Sequence, residues 1–327
     1  MPEQSTPSFR RVIILRNPAS THADQAKQRI HEIQELFGKD KVDIIDTARG
    51  GAEANRALLR RHARNFGPHT LLCIAAGDGT VGMVIETLVQ DAHIPERARS
   101  TPVLPLWGGN ANDLAHMLNG NAYRNRLHEV LTAGKVVAIQ PLECVLAPAG
   151  GTETTRIAAC YVSFGATAFA AARLNEPSLR KNPLRRVPGV RHIVEFLAGF
   201  GALRDSPSFK MQEQGKTRMV YERTVTNGSR FAKVERLPLK LTDDGFLLHT
   251  LEEKRLLTIV PRMWQAMQKR QAKQFRNDFT EFTVQQAILA QFDGETAEIA
   301  AGTNIRVTLS SRPFYALSIL LQDSPVK

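Results

Sequence analysis

The apolar run Leu71-Leu72-Cys73-Ile74-Ala75 passes directly into Ala76-Gly77-Asp78-Gly79-Thr80, and then into Val81, Val84, Ile85 and Leu88 at helical spacing. A strand, a glycine turn and an amphipathic helix in that order make a βα unit, and the unit recurs. Pro102-Val103-Leu104-Pro105-Leu106 precedes Trp107-Gly108-Gly109-Asn110-Ala111-Asn112-Asp113 and a helical pattern through Leu114, Met117 and Leu118. Two further units stand upstream. A strand over 12–15 leads to a helix with Ala26, Ile30, Ile33 and Phe37 on one face, and a strand over 42–45 leads to a helix through Ala54, Ala57, Leu58 and Arg61. Such alternation specifies a doubly wound, mostly parallel α/β sheet. Both glycine-rich loops then fall on its carboxyl edge, where ligands of open α/β sheets bind.

Those loops suit a phosphate. Glycine lets backbone N–H groups approach phosphate oxygens, Thr80 can cap the helix, and the positive end of the helix dipole favours an anion. Asp78 adds a carboxylate fit to partner or orient a metal ion. A lone glycine turn is equally explained by tight βα geometry with a solvated aspartate; the second loop is what tilts the reading towards a nucleotide.

After Gly134 the texture changes. Strands are predicted over 136–147, 156–164, 217–226, 237–241, 246–251, 282–289, 304–309 and 315–321, with Asp243-Asp244-Gly245 as a hairpin turn and helices over 191–203 and 254–273. The expected organisation is a nucleotide-binding α/β domain over 1–134 and a β-rich, sandwich-like domain over 135–327, whose final strand can return to the first domain. The apolar helix over 191–203 either packs on a sheet or lines a ligand pocket.

Composition narrows the setting. The 327 residues are 43% hydrophobic, and the polar start Met1-Pro2-Glu3-Gln4-Ser5-Thr6-Pro7 lacks an apolar signal region. The uncharged stretch 157–172 is shorter than the roughly 20 residues of a spanning helix. Cys73, Cys144 and Cys160 lie in apolar runs without metal-ligand spacing and read as reduced thiols of a cytoplasmic protein. The net charge of +11 favours polyanionic partners. Arg173, Arg180, Lys181, Arg185, Arg186 and Arg191 form one basic cluster, and Arg262, Lys269, Arg270, Lys273 and Arg276 a second beside Met263, Trp264 and Met267. These are either solvated faces or docking sites for an anionic membrane surface, where each basic residue contributes about 1 kcal/mol.

Taken together, these segments resemble the catalytic domain of diacylglycerol kinases and their relatives, the sphingosine, ceramide and bacterial lipid kinases. Their pattern is Gly-Gly-Asp-Gly-Thr followed by Pro-Leu-Gly-Thr-x-Asn-Asp. Here Ala76 replaces the first glycine, Gly82 stands where many relatives have asparagine, and Trp107-Gly108-Gly109-Asn110 is longer and lacks the threonine. Asn110 either supplies that hydrogen bond or marks a changed nucleotide preference. The resemblance also covers Asn17 in Arg16-Asn17-Pro18-Ala19, Thr47 before Ala48-Arg49-Gly50, Ser163-Phe164-Gly165, Asp243-Asp244-Gly245-Phe246-Leu247 and Phe292-Asp293-Gly294-Glu295.

The resemblance implies an ATP-dependent, Mg²⁺-requiring lipid kinase acting on a diacylglycerol-like or other amphiphilic alcohol, cytoplasmic or peripheral at a membrane, with no nucleic-acid partner. Nucleotide contacts would come from Asn17, Thr47, Ala76, Gly77, Asp78, Gly79, Thr80, Val81, Gly82, Gly109, Asn110, Asn112 and Asp113. Glu295 would accept the hydroxyl proton, with Asp293 orienting it or sharing the metal. A peripheral Mg²⁺ site would use Asp244 and the backbone carbonyls of Leu241 and Phe246. Asp293-Gly294 and Asp244-Gly245 also read as plain hairpin turns. Two other classes compete: an NAD kinase, which shares the glycine loop and is faintly echoed by Asn175-Glu176, and a binding module without transfer activity.

Overall fold

The computed structural model describes residues 9–20, 23–106, 108, 112–176, 178, 190–230, 239–252, 273–276 and 278–321. The chain divides into two units, Met1–Pro141 with Gly228–Asp243 and Ser310–Lys327, and Leu142–Asn227 with Asp244–Leu309.

In the first unit β1 (Arg11–Arg16), α1 (Ala23–Phe37), β2 (Val42–Asp46), α2 (Gly51–His62), β3 (Thr70–Ala75), α3 (Asp78–Gln90), α4 (Glu96–Arg99), β4 (Pro102–Pro105), α5 (Asp113–Asn119), α6 (Ala122–Asn125), α7 (Leu127–Ala133) and β5 (Lys135–Ile139) follow in order. Parallel pairing gives the strand order β2-β1-β3-β4; the chain's last strand, Phe314–Ser318, adds in parallel beside β4, and β5 closes the sheet antiparallel. Val12 and Ile14 pack with Ala26, Ile30 and Ile33 of α1 and with Leu127, Val130 and Leu131 of α7. Their neighbours Ile13 and Leu15 are also buried, so both faces of the sheet are covered. Unbroken apolar strands such as 12–15 and 71–75 are what such a sheet requires. In α2 the buried side chain is Leu59, and the helix packs against α3.

The second unit contains β6 (Leu142–Ala147), β7 (Thr154–Ala158), β8 (Tyr161–Gly165), α8 (Ala166–Leu174), α9 (Val190–Asp205), β9 (Phe209–Glu213), β10 (Lys216–Val220), β11 (Glu222–Thr226), β12 (Phe246–Leu251), β13 (Lys273–Arg276), β14 (Phe279–Val284), β15 (Ile288–Phe292), β16 (Glu295–Ile299) and β17 (Asn304–Leu309); the last strand of the chain is β18. Its sheets run β10-β9-β14-β17-β6-β7 and β13-β12-β11-β8-β15-β16, antiparallel throughout. They share one core, with Cys144, Met211, Phe282 and Ile305 from the first meeting Val162, Phe164, Val225 and Phe246 from the second. The Phe164 and Phe282 rings meet edge to face with centroids 5.3 Å apart. The second unit is thus a sandwich of two antiparallel sheets.

Several predicted elements differ. The single strand over 136–147 is two, because Pro141 interrupts the ladder and sends β5 to the parallel sheet and β6 to the sandwich. The unit boundary accordingly falls after Pro141, not Gly134, and 228–243 returns to the first unit. The strand over 156–164 breaks at Ala159-Cys160, that over 217–226 at Tyr221, and that over 282–289 at 285–287. No strand occupies 239–241, so Asp243-Asp244-Gly245 is not a hairpin between 237–241 and β12; instead Lys240 N–H donates to the Asp243 carboxylate at 2.8 Å, and β12 pairs with β11 and β13. Lys273 and Arg276 belong to β13 rather than to a helix. Residues 253–272, including Arg262, Lys269 and Arg270, lie outside the described residues, as do Arg180, Lys181, Arg185 and Arg186. Among the described residues no helix is long and apolar enough to cross a membrane. Cys73, Cys144 and Cys160 are buried free thiols, and burial pushes the first two well above the ordinary thiol pKa.

Glu222 at the start of β11 is buried, and its carboxylate accepts the Thr167 N–H in the first turn of α8 at 2.8 Å and the Thr224 hydroxyl at 2.6 Å. Burial outweighs these bonds and pushes its pKa up to about 7. An acid whose folded pKa is raised stabilises the fold most below its unfolded pKa, and that contribution is lost as pH rises through about 7. Thermal unfolding from pH 4.5 to 8 should therefore show a decline that Glu222→Gln flattens. The same slope in both proteins would mean that Glu222 does not titrate this way.

Candidate active site

The carboxyl ends of β1 to β4 bring most of the predicted phosphate-contacting residues to one edge. Asn17 follows β1, its N–H bonded to the Ala75 carbonyl at 3.0 Å and its side-chain oxygen accepting the Ala19 N–H at 3.0 Å. Thr47 follows β2, with its N–H on the Arg16 carbonyl at 2.8 Å. Arg16 and Asp46 form an ion pair here at 2.7 Å, and the guanidinium holds the Asp46 carboxyl below its usual range.

Asp78 joins the two glycine loops. Its carboxylate opens α3 and accepts the backbone N–H groups of Asn112 at 2.9 Å and Asp113 at 3.1 Å. Gly108 makes the second junction: a Cβ at this position would stand 2.5 Å from both the N and the O of Ala76. Any side chain there would drive the loops apart. Asn112 adopts φ 53°, a left-handed conformation that asparagine tolerates, and turns its two neighbouring amides towards Asp78. Thr80 does not cap the helix. Gly77 holds the capping position, and Thr80 sits in the first turn with its N–H on the Gly77 carbonyl at 3.0 Å. Val81 and Gly82 are buried within α3, while Gly77 at its N-cap and Gly79 in its first turn are half-buried. Gly109 and Asn110 lie outside the described residues.

Asp113 is buried, with Oδ1 at 3.5 Å from Arg230 Nε. Arg230 is absent from the sequence-derived set; its signal was the turn Asn227-Gly228 directly after a strand, which marks a change of chain direction.

In the second unit Asp293 and Gly294, at φ 46° and 96°, form the two-residue turn between β15 and β16, with Phe292 and Glu295 paired across it. The hairpin reading is thus realised, and the carboxylates act on top of it. Asp293 is buried, and its carboxylate accepts the N–H groups of Ala159, Cys160 (2.9 Å) and Tyr161 (3.0 Å). Three amide bonds fix it as the anchor of the turn between β7 and β8, a positioning role. Glu295, first residue of β16, is 29% exposed and paired with Arg156 at 3.1 Å. Arg156 in turn lies over the Phe292 ring at 4.7 Å from its centroid. Nothing in the local pattern of β7 singled out Arg156. Leu241 falls in the first unit, Asp244 and Phe246 in the second; Asp244 is exposed and the other two are buried. Among the described residues no group of three or more His, Cys, Asp or Glu is placed to hold a metal ion.

The segment carrying β1 to β5 and both glycine loops matches the diacylglycerol kinase catalytic domain over residues 11–144. No curated protein matches the sequence. The fold extends the likeness over nearly the whole chain. A diacylglycerol kinase structure from Bacillus anthracis superposes with TM-score 0.62 at 14% identity, covering 95% of this chain and 98% of that one. Yeast NADH kinase in complex with NADH superposes with TM-score 0.54 at 12% identity, covering 96% and 84%. In the matched segment the Asp78 carboxylate is the clamp, and each bond from an amide to a carboxylate contributes about 1.5–3 kcal/mol. Asp78→Ala should accelerate amide hydrogen exchange at Asn112 and Asp113 by about 10- to 100-fold while β1 and β3 stay protected. Unchanged exchange at those two amides would refute the clamp.

Proposed function

We propose that the chain is an ATP-dependent lipid kinase that transfers the terminal phosphoryl group to a hydroxyl of a diacylglycerol-like or other amphiphilic lipid. The observation that carries this reading is the bridge from Asp78 to Asn112 and Asp113 within a diacylglycerol kinase catalytic domain. Phosphoryl transfer asks the protein for positioning and charge stabilisation rather than covalent chemistry. The close approach of Gly108 to Ala76 keeps side chains out of the loop junction, and Asp78 and Asp113 are the hard oxygen donors suited to holding Mg²⁺ there. Bound with the nucleotide, the ion would neutralise phosphate charge.

On the acceptor side, Glu295 is the base we assign, taking the hydroxyl proton as the oxygen attacks. Arg156 steadies its carboxylate and Asp293 fixes the turn that presents it. An amphiphilic substrate fits α9, where Leu197 and Phe200 are exposed one helical turn apart. The basic clusters are proposed to bring the enzyme to an anionic leaflet, an attraction that salt would screen over roughly 8 Å.

The likeness to yeast NADH kinase favours one second reading, phosphorylation of a dinucleotide. Incubation with labelled ATP and Mg²⁺ against a lipid extract, NAD and NADH separates the two. A lipid gaining the mass of one phosphate is the expected product; label on the dinucleotide alone would replace the lipid reading, and no transfer at all would leave a binding module. With the acceptor found, Glu295→Gln should lower kcat by roughly 10²–10⁴ at nearly unchanged nucleotide affinity. Near-normal turnover by the folded variant would remove Glu295 from the mechanism.

A further inference from the structure

Neither glycine loop carries a cation. Residues 76–82 and 106–113 include two aspartates and no lysine or arginine. A site for a nucleotide triphosphate nevertheless needs fixed positive charge, because the transferred group carries its negative charge through the reaction. The first unit supplies one from far along the sequence. After β11 the chain turns at Gly228, φ 97°, where a Cβ would come within 2.6 Å of Met117 Sδ and 2.9 Å of Leu241 Cδ2. Only glycine fits this turn, and two residues later Arg230 reaches Asp113 at 3.5 Å. Arg230 thereby lies next to the residue whose own N–H is held by Asp78.

A second observation places the same charges together. The Tyr123 phenol is fully buried, and burial pushes its pKa up; among the charges acting on it, Asp78 raises it while Arg124 and Arg230 lower it. Arg124 is committed to the Tyr123 hydroxyl at 2.9 Å and lies 3.3 Å from His116 Nε2. Arg230, about one quarter exposed, is paired at a longer and weaker distance. This ion-pair distance of 3.5 Å exceeds the roughly 2.7–2.9 Å of a charge-assisted hydrogen bond, the contact a guanidinium makes with a phosphate oxygen.

We propose that Arg230 is a phosphate-binding residue of the nucleotide site, a guanidinium delivered to two cation-free glycine loops by the turn at Gly228. It rests on the kinase reading above and adds the positive charge that the two loops lack. Asp113 then holds Arg230 near the site before the nucleotide arrives, and the planar fork of the guanidinium suits bidentate contact with phosphate oxygens.

The test measures binding of ATP and of adenosine to the full chain and to Arg230→Ala and Arg230→Lys, by titration calorimetry or by competition against a fluorescent nucleotide. ATP affinity should fall by about 10- to 100-fold in Arg230→Ala, adenosine affinity should hold within about threefold, and Arg230→Lys or added guanidinium ion should restore part of the loss. Equal losses for ATP and adenosine would make Arg230 a structural residue and overturn the inference. So would wild-type ATP affinity in Arg230→Ala. If Arg230→Ala does not fold, Arg230→Gln takes its place with the same outcomes. A wild-type protein that binds no ATP would remove the kinase reading itself, an outcome distinct from either of these.

Discussion

The carboxylate of Asp78 and the amides of Asn112 and Asp113 hold together what the sequence keeps more than thirty residues apart. Loops at the end of a parallel sheet have no ladder of their own, so their mutual arrangement depends on such bonds. In this chain the arrangement is fixed twice, once by an ionised side chain accepting two amides and once by the absence of a side chain at Gly108. The first contributes attraction and the second allows close approach; neither works without the other. What results is a pair of turns tied together at one sheet edge, where the proposed function places the nucleotide phosphates.

The second unit uses the same device with a different partner. Asp293 is buried deeply enough that an unpaired carboxylate would be costly, and three backbone amides compensate it. The strained left-handed conformation of this residue is held by the turn and by those bonds together. Glu295, two residues on, stays 29% exposed and is paired with Arg156. Under the proposed mechanism the two carboxylates of the Asp-Gly-Glu motif divide between holding the turn and accepting the proton.

The parallel unit was legible because burial on both faces writes itself as unbroken apolar runs, and 12–15, 42–45, 71–75 and 102–106 all became strands or strand ends. The sandwich was legible as β-rich but not strand by strand. Runs such as 156–164 read as one element because the break at Ala159-Cys160 contains no glycine or proline; it exists because Asp293, well over a hundred residues away, accepts its amides. Thr80 looked like a cap since it is a hydroxyl residue at a helix start, yet Gly77 lies three residues closer to the strand and takes the position. Arg156 was invisible for the same reason as the break at 159–160, since a long-range partner leaves no periodicity behind; for Arg230 the turn at Asn227-Gly228 marked a change of chain direction but not its partner Asp113.

A single methyl group tests whether the junction of the two loops is the nucleotide site. Gly108→Ala adds a carbon where the Ala76 backbone already stands 2.5 Å away. ATP affinity measured by titration calorimetry should drop by at least about tenfold, with the circular dichroism spectrum of the folded protein retained and its stability lowered by no more than about 1–3 kcal/mol. Wild-type ATP affinity in a folded Gly108→Ala protein would contradict the account, because a loop junction that can open freely is not what holds the phosphates.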